Sequence, residues 1–121
     1  MILSKDSDLE LQVQPIDYEG LPIDVTRNWL TIEVKVGKSL FTAESDKPND
    51  EDPESPIFEN CYIEDDAIVC VIPAGTLEFG TVYIRCCVHE ANEHFKDGYK
   101  DVWTAWQPID LAITTEKGIN Q

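Results

Sequence analysis

The sequence predicts an all-β protein of short antiparallel strands, arranged as a sandwich or a small barrel. Three observations predict this class. Apolar residues recur with a period of two, turn signals separate the alternating segments, and no window shows helical amphipathicity. With 121 residues, of which 42% are hydrophobic, the chain is expected to fold as one domain over residues 1–121.

Four segments alternate clearly between apolar and polar residues, and we expect each to be a strand with one buried face. In chain order they are LELQV, WLTIEVKV, TVYIRCCV and QPIDLAI. Turn signals lie between them at YEGLP (18–22), PAGT (73–76) and KDG (96–98). The predicted core therefore spans about residues 9–114, with a frayed tail over 114–121.

The segment CYIEDDAIVC (61–70) predicts a hairpin with a two-residue turn at Asp65-Asp66. This register places Cys61 opposite Cys70 and puts both cysteines on the same face as Ile63 and Ile68. Opposed cysteines can lie at a distance that allows a disulfide. In a reducing compartment, however, we expect both cysteines to stay reduced and to pack in the core as small hydrophobic residues.

The stretch SDKPNDEDPESP (45–56) holds five carboxylates and three prolines, and it predicts an acidic, proline-rich loop. It does not fit the standard calcium loop, because a register that starts at Asp46 puts Pro48 at the third, ligating position. A non-standard calcium site would use the weak candidates Asp50, Asp52 and Glu54. The solvated loop is the favoured interpretation, so no metal is expected there.

Cys87 and His89 are two residues apart on a predicted strand, so both point away from the side of Cys86. The pair could bind a metal if His94 or a carboxylate completed the set, but a closed zinc site needs four ligands. We favour a core Cys86, a surface or edge Cys87 and two exposed histidines. A nucleophilic Cys87 is not expected, because the negative field of the protein would raise the pKa of its thiol.

The aromatic segment YKDVWTAW (99–106) supplies the candidate interaction residues Tyr99, Trp103 and Trp106. On a continuous strand, Trp103 and Trp106 would face opposite sides, so we expect one of them in the core. Exposed tryptophan and tyrosine can anchor a protein interface or stack on a sugar ring. Packing of both tryptophans within the domain is the alternative.

The net charge of −15 excludes several function classes. Such a surface repels nucleic acid and anionic membranes, and it favours cations or basic protein surfaces. No hydrolase, phosphate-loop or dinucleotide motif is present, so we expect neither an enzyme nor a cofactor. The start of the chain has no signal-peptide core, and we expect synthesis in the cytoplasm.

The order of these features resembles the immunoglobulin-like β-sandwich modules of prophage tail and baseplate proteins of gut bacteria. It is similar in outline to the N-terminal modules of upper baseplate proteins. The resemblance covers about residues 9–114. It is carried by the hairpin at 61–70, by GTLEFGTVYI, and by Phe95, Asp97 and Gly98 ahead of the last strand. It implies an antiparallel immunoglobulin-like sandwich of about 7–8 strands.

The resemblance also implies a non-enzymatic structural or protein-interaction module. Its partners would be other phage structural proteins or a second copy of the chain, within a virion or a tail-like particle. Two alternatives stay open. One is an acidic, phage-encoded inhibitor that mimics nucleic acid, and the other is a β-sandwich that binds sugar or calcium.

Overall fold

The computed structural model describes residues 1–17 and 19–114, and these form an all-β structure of ten strands in two sheets. The strands are β1 (Ile2–Ser4), β2 (Leu9–Val13), β3 (Trp29–Val36), β4 (Ser39–Lys47), β5 (Ile57–Glu59), β6 (Cys61–Glu64), β7 (Ala67–Ile72), β8 (Gly80–Ala91), β9 (Tyr99–Trp103) and β10 (Gln107–Thr114).

The main sheet has seven strands. Six of them follow the order β1-β10-β8-β3-β4-β5, and the seventh, β9, pairs with residues 87–91 of β8. The second sheet has the order β2-β7-β6. Two features of the predicted class are corrected. The main sheet is mixed, because β1 runs parallel to β10, and it curls into a half-barrel. The strand number is ten, because β1 and β5 have only three residues each and β4 continues into the charged stretch, so none of these three was predicted.

The core lies between the two sheets, and it forms where the alternation predicts. The four inward residues of β3 are fully buried: Leu30, Ile32, Val34 and Val36. They share one apolar cluster with Ile68 and Cys70 of the second sheet. The inward residues of β2 and β10 pack on the same cluster. The two sheets are therefore joined by burial of apolar surface, the largest favourable contribution to folding.

The hairpin at 61–70 has the predicted register. Cys61 pairs with Cys70 and Ile63 pairs with Ile68 across the antiparallel strands β6 and β7. Asp65 adopts a positive φ of 56°, which a tight turn of this kind requires. All four cysteines of the chain are free thiols, and Cys61 and Cys70 belong to the apolar core or pack against it, as predicted.

The acidic stretch is only partly a loop, which corrects the predicted bounds of 45–56. Strand β4 continues to Lys47, and Ser45 is fully buried opposite Leu30. The ladder between β4 and β5 is irregular between Glu44 and Lys47, where Asp46 adopts a φ of 58°. The acidic loop is therefore residues 48–56, between β4 and β5. Apolar alternation within SLFTAES outweighs the neighbouring charge.

The first and last described strands, β1 and β10, are paired with each other. Residues Ile2 to Ser4 align with Ala112 to Thr114. The predicted core start at residue 9 therefore missed β1, and Thr114 belongs to a strand rather than to a frayed tail. The rest of that predicted tail, 115–121, lies outside the described residues. Within residues 1–17 and 19–114, no helix is long and apolar enough to cross a membrane.

Candidate functional site

The outer face of the main sheet, which points away from the core, holds a cluster of polar, ionisable and aromatic side chains. Alternation on β3 puts Trp29, Thr31 and Glu33 on this face. Strand pairing then brings His89 beside Trp29, and Cys87 beside Thr31. Since directly opposed residues of antiparallel strands share a face, one patch collects side chains from β3, β4, β8 and β9.

Four side chains of this face form a hydrogen-bonded chain, here called the relay: Asp101, His89, Thr31 and Glu44. The Asp101 carboxylate lies 2.7 Å from His89 Nδ1, and Thr31 Oγ1 lies 2.7 Å from His89 Nε2. The Thr31 hydroxyl also donates to the carboxylate of Glu44. The His89 side chain is only 9% exposed, whereas Asp101 is 45% exposed. The relay therefore runs from the buried sheet surface to solvent at β9.

Aromatic rings cover the imidazole. The ring of Trp29 stacks on His89 with 3.8 Å between centroids and 22° between planes. Tyr99 meets Trp29 edge-on at 5.0 Å. Among the described residues, Trp29 Nε1 and Ser45 Oγ are the buried side-chain polar atoms without a hydrogen-bond partner. The stacking fixes the ring plane of His89 and so directs its two nitrogens along the relay.

Arg85 organises the rest of the outer face. Its Nε donates to Glu33 at 2.6 Å, and its guanidinium lies 4.0 Å from the ring centroid of Trp103 and 4.7 Å from that of Trp106. Lys35 lies 4.3 Å from the same Trp106 ring. These distances are within the range of cation–π attraction. The sequence predicts that the two tryptophans face opposite sides of a strand. In the structure both rings lie against the guanidinium of Arg85.

The reason for this difference is that β9 ends at Trp103, so Trp106 follows in a non-strand segment. Neither tryptophan belongs to the buried core, because Trp103 is 40% exposed and Trp106 is partly buried at the surface. Tyr99 is also partly buried. All three predicted interaction residues thus lie in or next to β9, and Trp103 is the most exposed of them.

Cys87 is fully buried, which corrects its expected place at the surface or at a sheet edge. Trp103 lies opposite it on β9, and Thr31 lies opposite it on β3. Burial raises the pKa of the Cys87 thiol to about 11, and Asp101 adds to the increase by charge repulsion. The direction agrees with the negative field inferred from the sequence, although burial is the larger cause. At neutral pH the thiol is protonated and is a poor nucleophile.

One group of residues could hold a metal ion. Among the described residues, only Cys87, His89 and Asp101 bring three or more metal-ligating side chains together, with their ligand atoms within 4.8 Å of one another. The set completes the Cys87–His89 pair with a carboxylate, which was one of the two options open from sequence. His94, the other option, is exposed in the turn after β8 and is not in the group.

The weak calcium candidates Asp50, Asp52 and Glu54 are exposed in the acidic loop and are not part of this group. The loop is held by local bonds instead. Asp52 Oδ1 accepts from the amide of Glu54 at 3.2 Å, and the side-chain amide of Asn49 donates to the carbonyl of Ser55 at 3.0 Å. These are turn bonds of a kind that Asx residues make in loops.

The contact order Asp101, His89, Thr31 matches carboxylate, imidazole and hydroxyl in an acyl-transfer triad. Two observations argue against that use. Thr31 is 8% exposed and its hydroxyl donates to Glu44, so it is not presented to a substrate. A carboxylate at that position also opposes the negative charge that an attacking oxygen transfers to the substrate. A non-enzymatic role remains the prediction.

Sequence reasoning missed Trp29, Thr31, Glu44 and Asp101 as members of the site. The outward position of Thr31 followed from the alternation of β3, but its neighbours depend on strand order. The turn signal KDG at 96–98 marks only the end of the loop between β8 and β9. The pairing of His89 with Asp101 requires a loop over residues 92–98, which that signal does not specify.

Comparison with known proteins adds no relative, since no protein-family model, no curated protein and no solved structure matches the chain. The resemblance to phage tail and baseplate modules therefore stays a prediction. What the protein does is inferred from its own contacts.

Proposed function

We propose that the chain is a non-enzymatic structural module that binds a partner protein along β9 and the aromatic residues beside it. The observation that carries this proposal is the position of β9. Within the described residues it pairs only with β8, so its second edge is open to another strand. An open edge offers backbone groups for pairing with a further chain, and this is a recurrent mode of protein recognition.

Exposed apolar side chains lie along the same edge. Phe95 is 47% exposed, Val102 is 43% exposed and Trp103 is 40% exposed. Large aromatic residues surrounded by polar residues are typical of interface anchors. Arg85 holds one of these anchors, Trp103, in position through its guanidinium. The edge therefore combines a backbone pairing surface with pre-positioned aromatic side chains.

The resemblance extends this proposal to a phage tail or baseplate-like particle, with other structural proteins or a second copy of the chain as partners. It also extends the fold to an immunoglobulin-like sandwich. The core shared by the two sheets supports the sandwich. The parallel β1 strand and the curled main sheet depart from it.

The two alternatives gain less support from the contacts. The nucleic-acid mimic needs carboxylates on rigid elements, but four of the acids in the charged stretch are in an exposed loop. The sugar platform needs a free ring, but Arg85 lies against Trp103 and Trp106. No calcium ligand set forms among the described loop residues.

The test is a binding experiment on matched variants. The chain is co-expressed with the products of its neighbouring genes, and complexes are measured by light scattering after size-exclusion chromatography. We expect Val102→Lys to abolish the complex or the self-association, because a charge on an edge strand blocks pairing. The control is Val71→Lys on β7, since both valines are 43% exposed.

A strictly monomeric chain with no bound neighbour would contradict the interaction proposal. Equal loss in both valine variants would show that β9 is not the edge used. A gene neighbourhood without phage structural proteins would count against the phage role alone.

A further inference from the structure

The relay has three contacts, and each of them requires one proton or one cation between its two heavy atoms. The neutral imidazole of His89 supplies one proton, and the hydroxyl of Thr31 supplies another, whereas ionised carboxylates supply none. The third contact is completed by an additional proton or by a metal cation.

A cation on His89 Nδ1 satisfies every member of the relay. The proton of the imidazole is then on Nε2 and is donated to Thr31, and Thr31 donates its own proton to Glu44. Metal-bound histidines commonly donate their second ring nitrogen in this way, which fixes the tautomer and the ring orientation. Glu44 and Thr31 thus form the outer support that a metal-bound His89 requires.

Two further ligand atoms surround Nδ1. Asp101 Oδ1 lies 2.7 Å away, and Cys87 Sγ lies 3.9 Å away. A tetrahedral zinc ion with ordinary bond lengths sets its nitrogen and oxygen ligands about 3.3 Å apart, and its sulfur and nitrogen ligands about 3.6 Å apart. The Nδ1–Oδ1 separation is shorter than this by about 0.6 Å and the Sγ–Nδ1 separation is longer by about 0.3 Å. The ligand atoms of Cys87 and Asp101 lie within 4.8 Å of each other, so all three can reach one ion after small side-chain shifts.

We propose that Cys87, His89 and Asp101 form a binding site for a zinc-like divalent cation. Thiolate, imidazole and carboxylate together select zinc or cobalt over magnesium and calcium, which prefer oxygen ligands only. Three protein ligands leave the fourth tetrahedral position for water or for a group from a partner. On binding, the thiol of Cys87 loses its proton to solvent and the thiolate forms the metal–sulfur bond.

The access route is through Asp101. Cys87 is fully buried and the His89 side chain is 9% exposed, but Asp101 is 45% exposed on the edge strand β9. Its carboxylate can swing outward to admit the ion and then return. Since Asp101 is on β9 and the other two ligands are on β8, the ion would cross-link these strands at the edge proposed for partner binding. The metal site does not depend on that proposed function.

The test is a cobalt titration of the metal-free full chain, with a thiol reductant that does not bind metal. Excess magnesium and calcium occupy the acidic surface. We expect one cobalt ion per chain, with a thiolate-to-cobalt charge-transfer band and the intense visible bands of tetrahedral cobalt. Zinc should displace the cobalt and abolish both. Cys87→Ser should abolish the charge-transfer band, and Asp101→Asn should weaken zinc binding at least about tenfold.

Matched controls separate this site from adventitious binding. Cys61→Ser, His94→Ala and Asp50→Asn each remove the same ligand type elsewhere and should leave the titration unchanged. Thr31→Val should weaken zinc binding by about 10–100-fold while the band remains, because it removes the support behind His89. Absence of the band in the unmodified chain would overturn the proposal, as would a band that survives Cys87→Ser. Asp101→Asn, at an exposed position, decides the question if Cys87→Ser does not fold.

Discussion

The acidic loop and the relay both concentrate carboxylates, but they use them in opposite ways. The loop at 48–56 contains four acids in five consecutive positions, and its bonds are turn contacts within the loop. The relay has two carboxylates, and they are 57 positions apart, at 44 and 101. Yet Glu44 and Asp101 lie at the two ends of the relay, where Glu44 contacts Thr31 and Asp101 contacts His89.

The difference shows that carboxylates close together in the sequence need not form a site, whereas carboxylates far apart in the sequence can meet in the folded protein. Neighbouring acids in a loop point outward and repel one another, so each stays hydrated. Acids on paired strands are held by the ladder at fixed positions, where partners from other strands can reach them. The chemistry of this molecule is therefore expected on the outer face of the main sheet and not in its most charged stretch.

The largest expected effect is that of His89→Ala. The variant loses the stack on Trp29 and leaves the polar groups of Thr31 and Asp101 with fewer partners. We expect the free energy of unfolding to fall by about 2–4 kcal/mol. Urea denaturation in the presence of EDTA measures this fall without a metal contribution.

His94→Ala is the matched control, because His94 is exposed in the turn after β8. We expect a change within about 0.5 kcal/mol. Equal losses in the two variants would mean that the relay adds nothing to stability, and the contrast between outer face and loops would fail.

The next effect concerns the ion pair between Arg85 and Glu33. Their side chains are 31% and 14% exposed, and Arg85 also packs on two tryptophan rings. We expect Arg85→Ala to cost about 2 kcal/mol, with a coupling of about 1 kcal/mol to Glu33→Gln in a double-mutant cycle. The measurement is again equilibrium unfolding.

A surface ion pair serves as the reference. Arg27 and Asp24 lie 3.6 Å apart with side chains 84% and 53% exposed. Arg27→Ala should cost less than about 0.5 kcal/mol. If its cost equals that of Arg85→Ala, the aromatic surroundings of Arg85 contribute nothing.

A smaller effect is expected from alkaline pH. Burial raises the pKa of Cys70 to about 12 from an ordinary value of 9.0, and the neighbouring thiols of Cys61 and Cys86 raise it further. The folded state therefore keeps the proton that the unfolded state loses. The contribution of Cys70 is fully present below pH 9 and is lost as the pH rises toward 12.

Between pH 8 and pH 10, Cys70 should account for a loss of about 1.4 kcal/mol in the free energy of unfolding. The variant Cys70→Ala should show a loss smaller by that amount, because other titrating groups cancel in the difference. Identical losses in the two proteins would show that the buried thiol ionises as readily as an unfolded one.

The fold was predictable from sequence wherever alternation was strict. A period of two fixes which residues face the core, and this placed Leu30, Ile32, Val34 and Val36 correctly. The same rule fixed the hairpin register at 61–70, because a shift by one residue would have exposed its apolar set. Strands β1, β4 and β5 were missed. β1 and β5 have three residues each, and β4 runs into a charged stretch.

The candidate site was only half predictable. The pattern showed that Cys87 and His89 share a face, and it left the third ligand open between His94 and a carboxylate. It could not show that β8 pairs with β3 on one side and with β9 on the other. Strand order arises from long-range packing, so Thr31 and Asp101 remained unconnected until both pairings were known. The burial of Cys87 depended on the same neighbours.

The smallest expected effect is that of removing the acidic loop. We expect replacement of residues 49–55 by a short Gly-Ser turn to leave the fold intact and to change the melting temperature by less than about 3 °C. The reason is that Lys47 still pairs with Ile57, the removed side chains are solvated, and loss of four negative charges relieves repulsion. Calorimetric titration with calcium should show no heat for either protein. A large fall in melting temperature, or calcium heat that disappears with the loop, would show that the charged stretch binds a cation and would make the loop a second functional region.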